Sequence, residues 1–166
     1  MITARRMSCG CPVERADAEI REAEMADRPA WRQLWSANCA HYRASVSAAE
    51  SDELWRRIMD PEHPLSALVS SAPDIEGTLV GFAHYVLHPH TFSNWMVCYL
   101  EDLWVEPSAR GAGLGRRFID ALISRGQARG WRRIYWHTEA DNTAARALYD
   151  RVASVTNYVR YDVALS

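Results

Sequence analysis

Two spacings of apolar residues alternate along this chain, and the switches between them mark its elements. Trp31, Leu34, Trp35, Asn38 and Tyr42 lie three or four apart, the spacing of one helix face, and predict a helix to about residue 43. Asp27 stands where an N-cap belongs, with Pro29 in the first turn. A second helix over 50–59 gathers Leu54, Trp55, Ile58 and Met59 on one side and halts at Pro61. Residues 65–71 and 78–88 read as strands joined by the turn-forming stretch 72–77. In the second of these, Val80, Phe82, His84 and Val86 share one face, and Leu79, Ala83, Tyr85 and Leu87 the other. Both faces are largely apolar, which places the strand inside a sheet. Residues 89–96 form a loop and 97–105 the next strand. The helix that follows runs to residue 129, buries Leu114, Phe118, Ala121 and Leu122, and ends at the natural C-cap Gly130. Residues 132–138 form another strand, Asp141 or Asn142 caps a helix through 152, and 158–165 closes the sheet. Residues 18–25 supply a first strand, although AEIREAEM is poor in β-branched residues. Strands alternating with helices predict a mixed α/β sheet.

Composition narrows the class. A length of 166 residues with 48% hydrophobic content suits one domain with its own core, read here as 17–166 behind a polar flexible leader, 1–16. A net charge of -2 argues against general nucleic-acid binding. No apolar run approaches the roughly 20 residues of a membrane span, and the first residues lack the apolar stretch of a signal peptide, so a cytoplasmic protein is expected. Cys39 and Cys98 sit among apolar neighbours and read as buried thiols, while Cys9-Gly-Cys11 reads as reduced tail. The spacing of His88-Pro-His90 would allow chelation, but with no carboxylate or cysteine beside it the pair reads as loop, and no metal is expected.

The stretch YLEDLWVEPSARGAGLGRR, residues 99–117, carries the candidate chemistry. Gly111, Gly113 and Gly115 alternate where a strand gives way to a helix, allowing φ > 0 and close approach of a ligand. A helix N-terminus attracts anions through its free N–H groups. Yet Arg110, Arg116 and Arg117 crowd that end with no carboxylate between Glu106 and Asp120, an arrangement the macrodipole opposes. A polyanion such as a pyrophosphate would resolve the conflict. A Rossmann fingerprint is excluded, because counting from Gly111 the third glycine falls on Arg116, and a P-loop because Gly-Lys-Ser/Thr is missing. What remains is Arg-x-x-Gly-x-Gly, formed by Arg110, Gly113 and Gly115 after an apolar strand.

This resembles the acetyl-CoA signature of the GNAT superfamily of N-acetyltransferases. GFAHYVLH followed by CYLEDLWVEPSARGAGLG is similar to that family's central strands and pyrophosphate loop, and IYWHTEADNTAARALYDRVA to its later strand and helix, with Asn142, Ala145, Leu148 and Tyr149 in an N-x-x-A-x-x-L-Y pattern. YLEDLWV, YWHT and LYDRVA look closest to the Hpa-type branch, whose members acetylate small amines, amino acids or histone tails. The chain departs from the family at Thr156-Asn157-Tyr158, where a Gly-Phe turn is usual.

The resemblance implies a mixed sheet of about six or seven strands flanked by about four helices, and a homodimer. It implies a donor seat made by Arg110, Gly111, Ala112, Gly113, Leu114, Gly115 and Arg116, with backbone groups of Leu103, Trp104 and Val105 along the pantetheine arm. Asn142 is either a cofactor contact or an N-cap. The acceptor amine is charged at neutral pH, and Glu101 or Asp102 would take its proton. Strand alternation lets only one of the two face it, and the diamine acetyltransferases favour Glu101. Tyr149 would return a proton to the leaving thiolate; without the resemblance it reads as core. Trp35, Trp55 and Tyr42 border the acceptor side and read mostly as core, with a substrate-facing Tyr42 the lesser reading. His84 and His137 read as packed strand histidines. No cysteine or serine stands in a nucleophile's setting, so acetyl transfer to a small-molecule amine is expected to be direct. The competing readings are a protein lysine or N-terminal acetyltransferase, with Glu50, Asp52 and Glu53 as a thin acidic groove, and a non-catalytic CoA-binding module.

Overall fold

The computed structural model describes residues 19–72, 75 and 77–165; the expected leader and Cys9-Gly-Cys11 lie outside them. Strand β1 (Ile20–Glu22) leads through a single turn of 3-10 helix (Met25–Asp27) into helices α1 (Arg28–Tyr42) and α2 (Ala48–Ile58). Strands β2 (Leu65–Ser71), β3 (Leu79–Pro89) and β4 (Met96–Val105) follow, then α3 (Leu114–Arg129), β5 (Arg133–Tyr135) and α4 (Thr143–Tyr149). The five strands lie in the order of the chain; β1 to β4 are antiparallel and β5 runs parallel to β4.

Each face of this mixed α/β sheet has its own core. On one face Trp31 and Leu34 of α1 and Trp55 and Ile58 of α2 pack on Ala67, Val69, Leu79, Phe82 and Trp104. Trp31 and Trp55 are almost wholly buried, with ring centroids 4.7 Å apart; an aromatic side chain so placed contributes roughly 4–6 kcal/mol of transfer free energy before ordering costs. On the other face Leu114, Phe118, Ile119 and Leu122 of α3 cover Leu68, Ala83, Tyr85, Cys98 and Leu100. As expected, β3 is the central strand, and Cys39 and Cys98 are buried free thiols.

Local signals act largely as the pattern predicts. Ser47 caps α2 by accepting from the Glu50 N–H while the Glu50 side chain accepts from the Ser47 N–H. Gly130, at φ 69°, ends α3. Asp27 occupies the N-cap of α1 without capping it: its carboxylate takes two 2.7 Å bonds from Arg21 and one from the Glu24 N–H. A bidentate guanidinium outcompetes a single backbone donor.

Three expectations fail, each for a tertiary reason. The strand expected over 132–138 stops at Tyr135. Residues 158–165 join no ladder and leave the sheet at five strands among the described residues; Tyr158, Val159, Tyr161, Val163 and Leu165 are between 72% and 91% exposed. Alternation in β3 is broken at Val80, an extra residue where Ser70 pairs with Gly81 but Ser71 with Leu79. This bulge sends Leu79 to the α1 face with Phe82, and Val80 to the α3 face with Ala83, the reverse of simple counting.

Gly81 follows that bulge, and a Cβ there would lie 2.8 Å from the Trp104 carbonyl oxygen and 3.0 Å from Phe118. Gly81→Ala is expected to destabilise the fold by about 1–3 kcal/mol, read as a lower urea midpoint with unchanged slope. An unaltered midpoint would show that β3 and β4 are not packed this closely.

Candidate active site

The site begins where two strands part. β5 pairs with β4 only at Val97, Cys98 and Tyr99, whereas β4 continues to Val105. Beyond Tyr99 this edge of β4 meets no strand among the described residues, and buried backbone groups seek partners. The Val105 carbonyl finds one in the Arg110 Nε–H at 2.9 Å.

Just past the parting, β4 carries a second bulge. Leu100 pairs with Tyr85 and Asp102 with His84, so Glu101 is the extra residue. Leu100 and Leu103 both face the α3 core, three positions apart, which requires both residues between them to face the other way. Glu101 and Asp102 therefore share the α1 face, and the alternation expected to separate them is broken at the bulge. The Glu101 carboxyl is pushed above the usual range, first by partial loss of water and then by the neighbouring Asp102 charge; Arg160 pulls the other way. A base of raised pKa is better matched to an ammonium proton. Asp102 takes a 2.9 Å hydrogen bond from His84 Nδ1.

The glycine loop sits at the N-terminus of α3. Gly111 and Gly113 hold φ of 82° and 79°, and a Cβ on either would meet nothing within 4 Å, so space opens over the loop. Gly115 is small for a different reason: its Cβ would lie 3.3 Å from Leu148 of α4. The first turn of α3 holds no acidic residue, and its leading N–H groups have no intrahelical partner. The arginines, however, are not waiting for an anion. Arg116 pairs with Asp120 one turn on at 2.9 Å, Arg110 lies 4.8 Å over the Trp104 ring, and Arg117 also has a partner. A diphosphate at this loop would therefore meet backbone amides and the helix dipole first. These residues and the open edge of β4 fit a nucleotide thioester.

Tyr149, half-buried, ends α4 with its ring 5.2 Å from Trp136; burial and the nearby Tyr42 raise its phenol above the ordinary value. Tyr42, at the end of α1, is 54% exposed, and its own phenol is raised by burial, Glu139 and Asp102 and lowered by Arg110. Tyr42 thus feels Asp102 and Arg110, and Tyr149 feels Tyr42. Asn142 Oδ1 accepts from the Ala145 N–H at 3.1 Å, which is the N-cap reading. Burial pushes the Cys98 thiol up to about 12, which removes it as a nucleophile. Pattern reading missed an aromatic cluster beside Glu101: Tyr99 stacks on Tyr135 at 4.9 Å and meets His137 Nδ1 at 3.3 Å. Their shared every-second-residue spacing was the signal available. His137 lies beyond β5 and is exposed, though its ring packs edge-on against Tyr99 and Tyr135 as a neighbour-packed histidine was expected to. A cavity of about 260 Å³ lined by Ile123, Trp131, Ile134 and Val152 lies by the other end of α3, remote from the loop.

Residues 28–153 match the model of the acetyltransferase (GNAT) family. The chain belongs to that family. Among relatives, it is 30% identical to the D-amino-acid N-acetyltransferase HPA3 of Saccharomyces cerevisiae over 86% of this chain and 88% of that protein. It is 31% identical to a mycothiol acetyltransferase of Paenarthrobacter aurescens, covering 82% of this chain but only 40% of the relative's length. The fold matches an aminoglycoside N-acetyltransferase, AAC(6')-Iy, solved in complex with CoA, with a TM-score of 0.75, 22% identity, and coverage of 92% and 98%. The GNAT family uses acetyl-CoA, and this chain is accordingly an N-acetyltransferase.

The shared face has a direct consequence. In Asp102→Asn, the Glu101 pKa is expected to fall toward the ordinary value of about 4.3, followed by 13C NMR of the Glu101 carboxyl. An unmoved titration would separate the two side chains.

Proposed function

We propose that this GNAT enzyme transfers the acetyl group of acetyl-CoA directly to the primary amine of a small molecule, an amino acid or polyamine. One observation carries the reading: two carboxylates on one face of β4 stand beside an open strand edge that leads to the glycine loop of α3. The likeness to a D-amino-acid N-acetyltransferase supports an amino-acid acceptor.

Acetyl-CoA supplies the thioester. The amides from Gly111 to Arg116 hold its diphosphate, and backbone groups of Leu103, Trp104 and Val105 hold its arm. Glu101 takes a proton from the ammonium, and the freed nitrogen attacks the acetyl carbon; C–N forms as C–S breaks. The ammonium loses two protons in all, one released and one ending on sulfur. Tyr149 delivers the latter, its raised pKa keeping the phenol protonated at neutrality. Giving that proton to a thiolate of ordinary pKa near 8.5 is uphill by roughly 2 kcal/mol or more, offset by the second proton the nitrogen sheds. Leu148, beside Tyr149, packs on Gly115, which ties α4 to the donor loop.

A basic protein tail fits less well, because the acidic residues on α2 are engaged. Asp52 pairs with Arg28 and Arg32, Glu53 with Arg56 and Arg57, which hold its carboxyl down at about 2, and Glu50 closes the capping box. A cytoplasmic homodimer completes the reading. The apolar side chains exposed over 155–165 support it, as a surface a second copy would cover. None of the described helices is long and apolar enough to cross a membrane.

Purified protein with acetyl-CoA is expected to release thiol with amino acids of either hand or with spermidine, and more slowly with a lysine peptide; silence across the panel would overturn the reading. Tyr149→Phe should lower kcat by about 10²–10⁴-fold and leave CoA affinity by calorimetry intact. An unchanged kcat removes Tyr149 from the proton transfer.

A further inference from the structure

His84 is buried to 1% exposure directly opposite Asp102, and the proposed chemistry does not use it. It sits among the rings of Phe82, Trp35 and Trp31, at 4.4, 5.4 and 5.9 Å between centroids. Its two ring nitrogens have different partners. Nε2 lies 2.9 Å from Trp31 Nε1. An indole N–H only donates, so Nε2 must be the accepting, unprotonated nitrogen. The ring proton is then on Nδ1, 2.9 Å from Asp102 Oδ2. Both hydrogen bonds are thereby given one direction, from Trp31 through His84 to Asp102. Trp31 is wholly buried and packed on Trp55, so the donor cannot swing away. The chain ends at a carboxylate that is 26% exposed and on the face it shares with Glu101.

We propose that Asp102 seats the ammonium of the acceptor and that His84 is its positioning residue, holding Oδ2 so that Oδ1 is presented to the amine beside Glu101. This rests on the reading of the chain as an amine acetyltransferase. It divides the labour of the two carboxylates: Asp102 binds and orients the cation, and Glu101 removes its proton. The specificity that follows is for acceptors that arrive charged, since a carboxylate held by a fixed donor offers its second oxygen best to an ammonium N–H. A bulge that merely bent the strand would not need a buried imidazole of defined tautomer behind it.

The test uses the full chain and the acceptor that turns over fastest in the panel above. Asp102→Asn and His84→Phe are each expected to raise KM for the amine about tenfold or more, the equivalent of one charge-assisted hydrogen bond. KM for acetyl-CoA and CoA affinity should stay as in the parent. His84→Asn, whose amide nitrogen replaces the Nδ1 donor, should restore most of the loss. In 15N NMR of the unsubstituted protein, His84 Nε2 should show the unprotonated shift and Nδ1 the protonated one. An unchanged amine KM in a CoA-binding His84→Phe, or a protonated Nε2, overturns the proposal. Should His84→Phe not fold, Trp31→Phe and the NMR tautomer decide it in the same way. If the unsubstituted protein acetylates no amine, the transferase reading fails instead, and the tautomer measurement still reports on the relay.

Discussion

The separation of β4 from β5 after Tyr99 is the constraint on which the site depends. Three residue pairs join the strands, and then β4 continues paired with β3 alone while the chain from Trp136 leads toward α4. The bulge at Glu101 accounts for this geometry, since an extra residue bends its strand and increases the local twist. An unpaired edge inside a domain ordinarily invites aggregation. Here the open edge leads toward the glycine loop of α3, and under the proposed function the amides of the acetyl-CoA arm would complete the ladder. The same bulge turns two consecutive carboxylates to one side, so a single irregularity shapes both the open edge and the carboxylate pair on which the proposed function rests.

Charge is distributed in keeping with that division. Arg116 and Arg110 of the glycine loop have partners within the protein, Asp120 and the Trp104 ring, and the leading backbone amides of α3 have no intrahelical partner. Amides are fixed by the fold and need not be ordered on binding, whereas arginine side chains would have to be. Of the two carboxylates on the α1 face, Glu101 is exposed and Asp102 partly buried. Glu101 feels Arg160 from the C-terminal segment as well as Asp102, so residues that join no strand still bear on the chemistry.

That segment is where pattern and fold disagree most. Residues 158–165 have the alternation of a strand, yet their apolar side chains stand in solvent. Alternation specifies which side chains share a face; it does not supply the neighbouring strand. β5 is too short to serve as one. Similarly, Asp27 had every local mark of a cap, but Arg21, brought near by the strand–helix turn, took its oxygens.

The order of the elements, the central place of β3, the glycine loop and its helix, and the buried cysteines were all legible in the sequence, because each depends on side-chain periodicity or on the backbone freedom of glycine. So was the family, through the loop and the N-x-x-A-x-x-L-Y helix. The two bulges were not legible: Val80 and Glu101 are ordinary residues at ordinary spacing, and they are extra only relative to the strands they face. Nor could the sequence show that His84 stands between Trp31 and Asp102, residues 53 and 18 positions away. Periodicity is a property of one segment, whereas register, bulges and hydrogen bonds across the sheet are properties of pairs. Those pairs came into being only when the strands met, and the placing of both carboxylates on the α1 face was decided there.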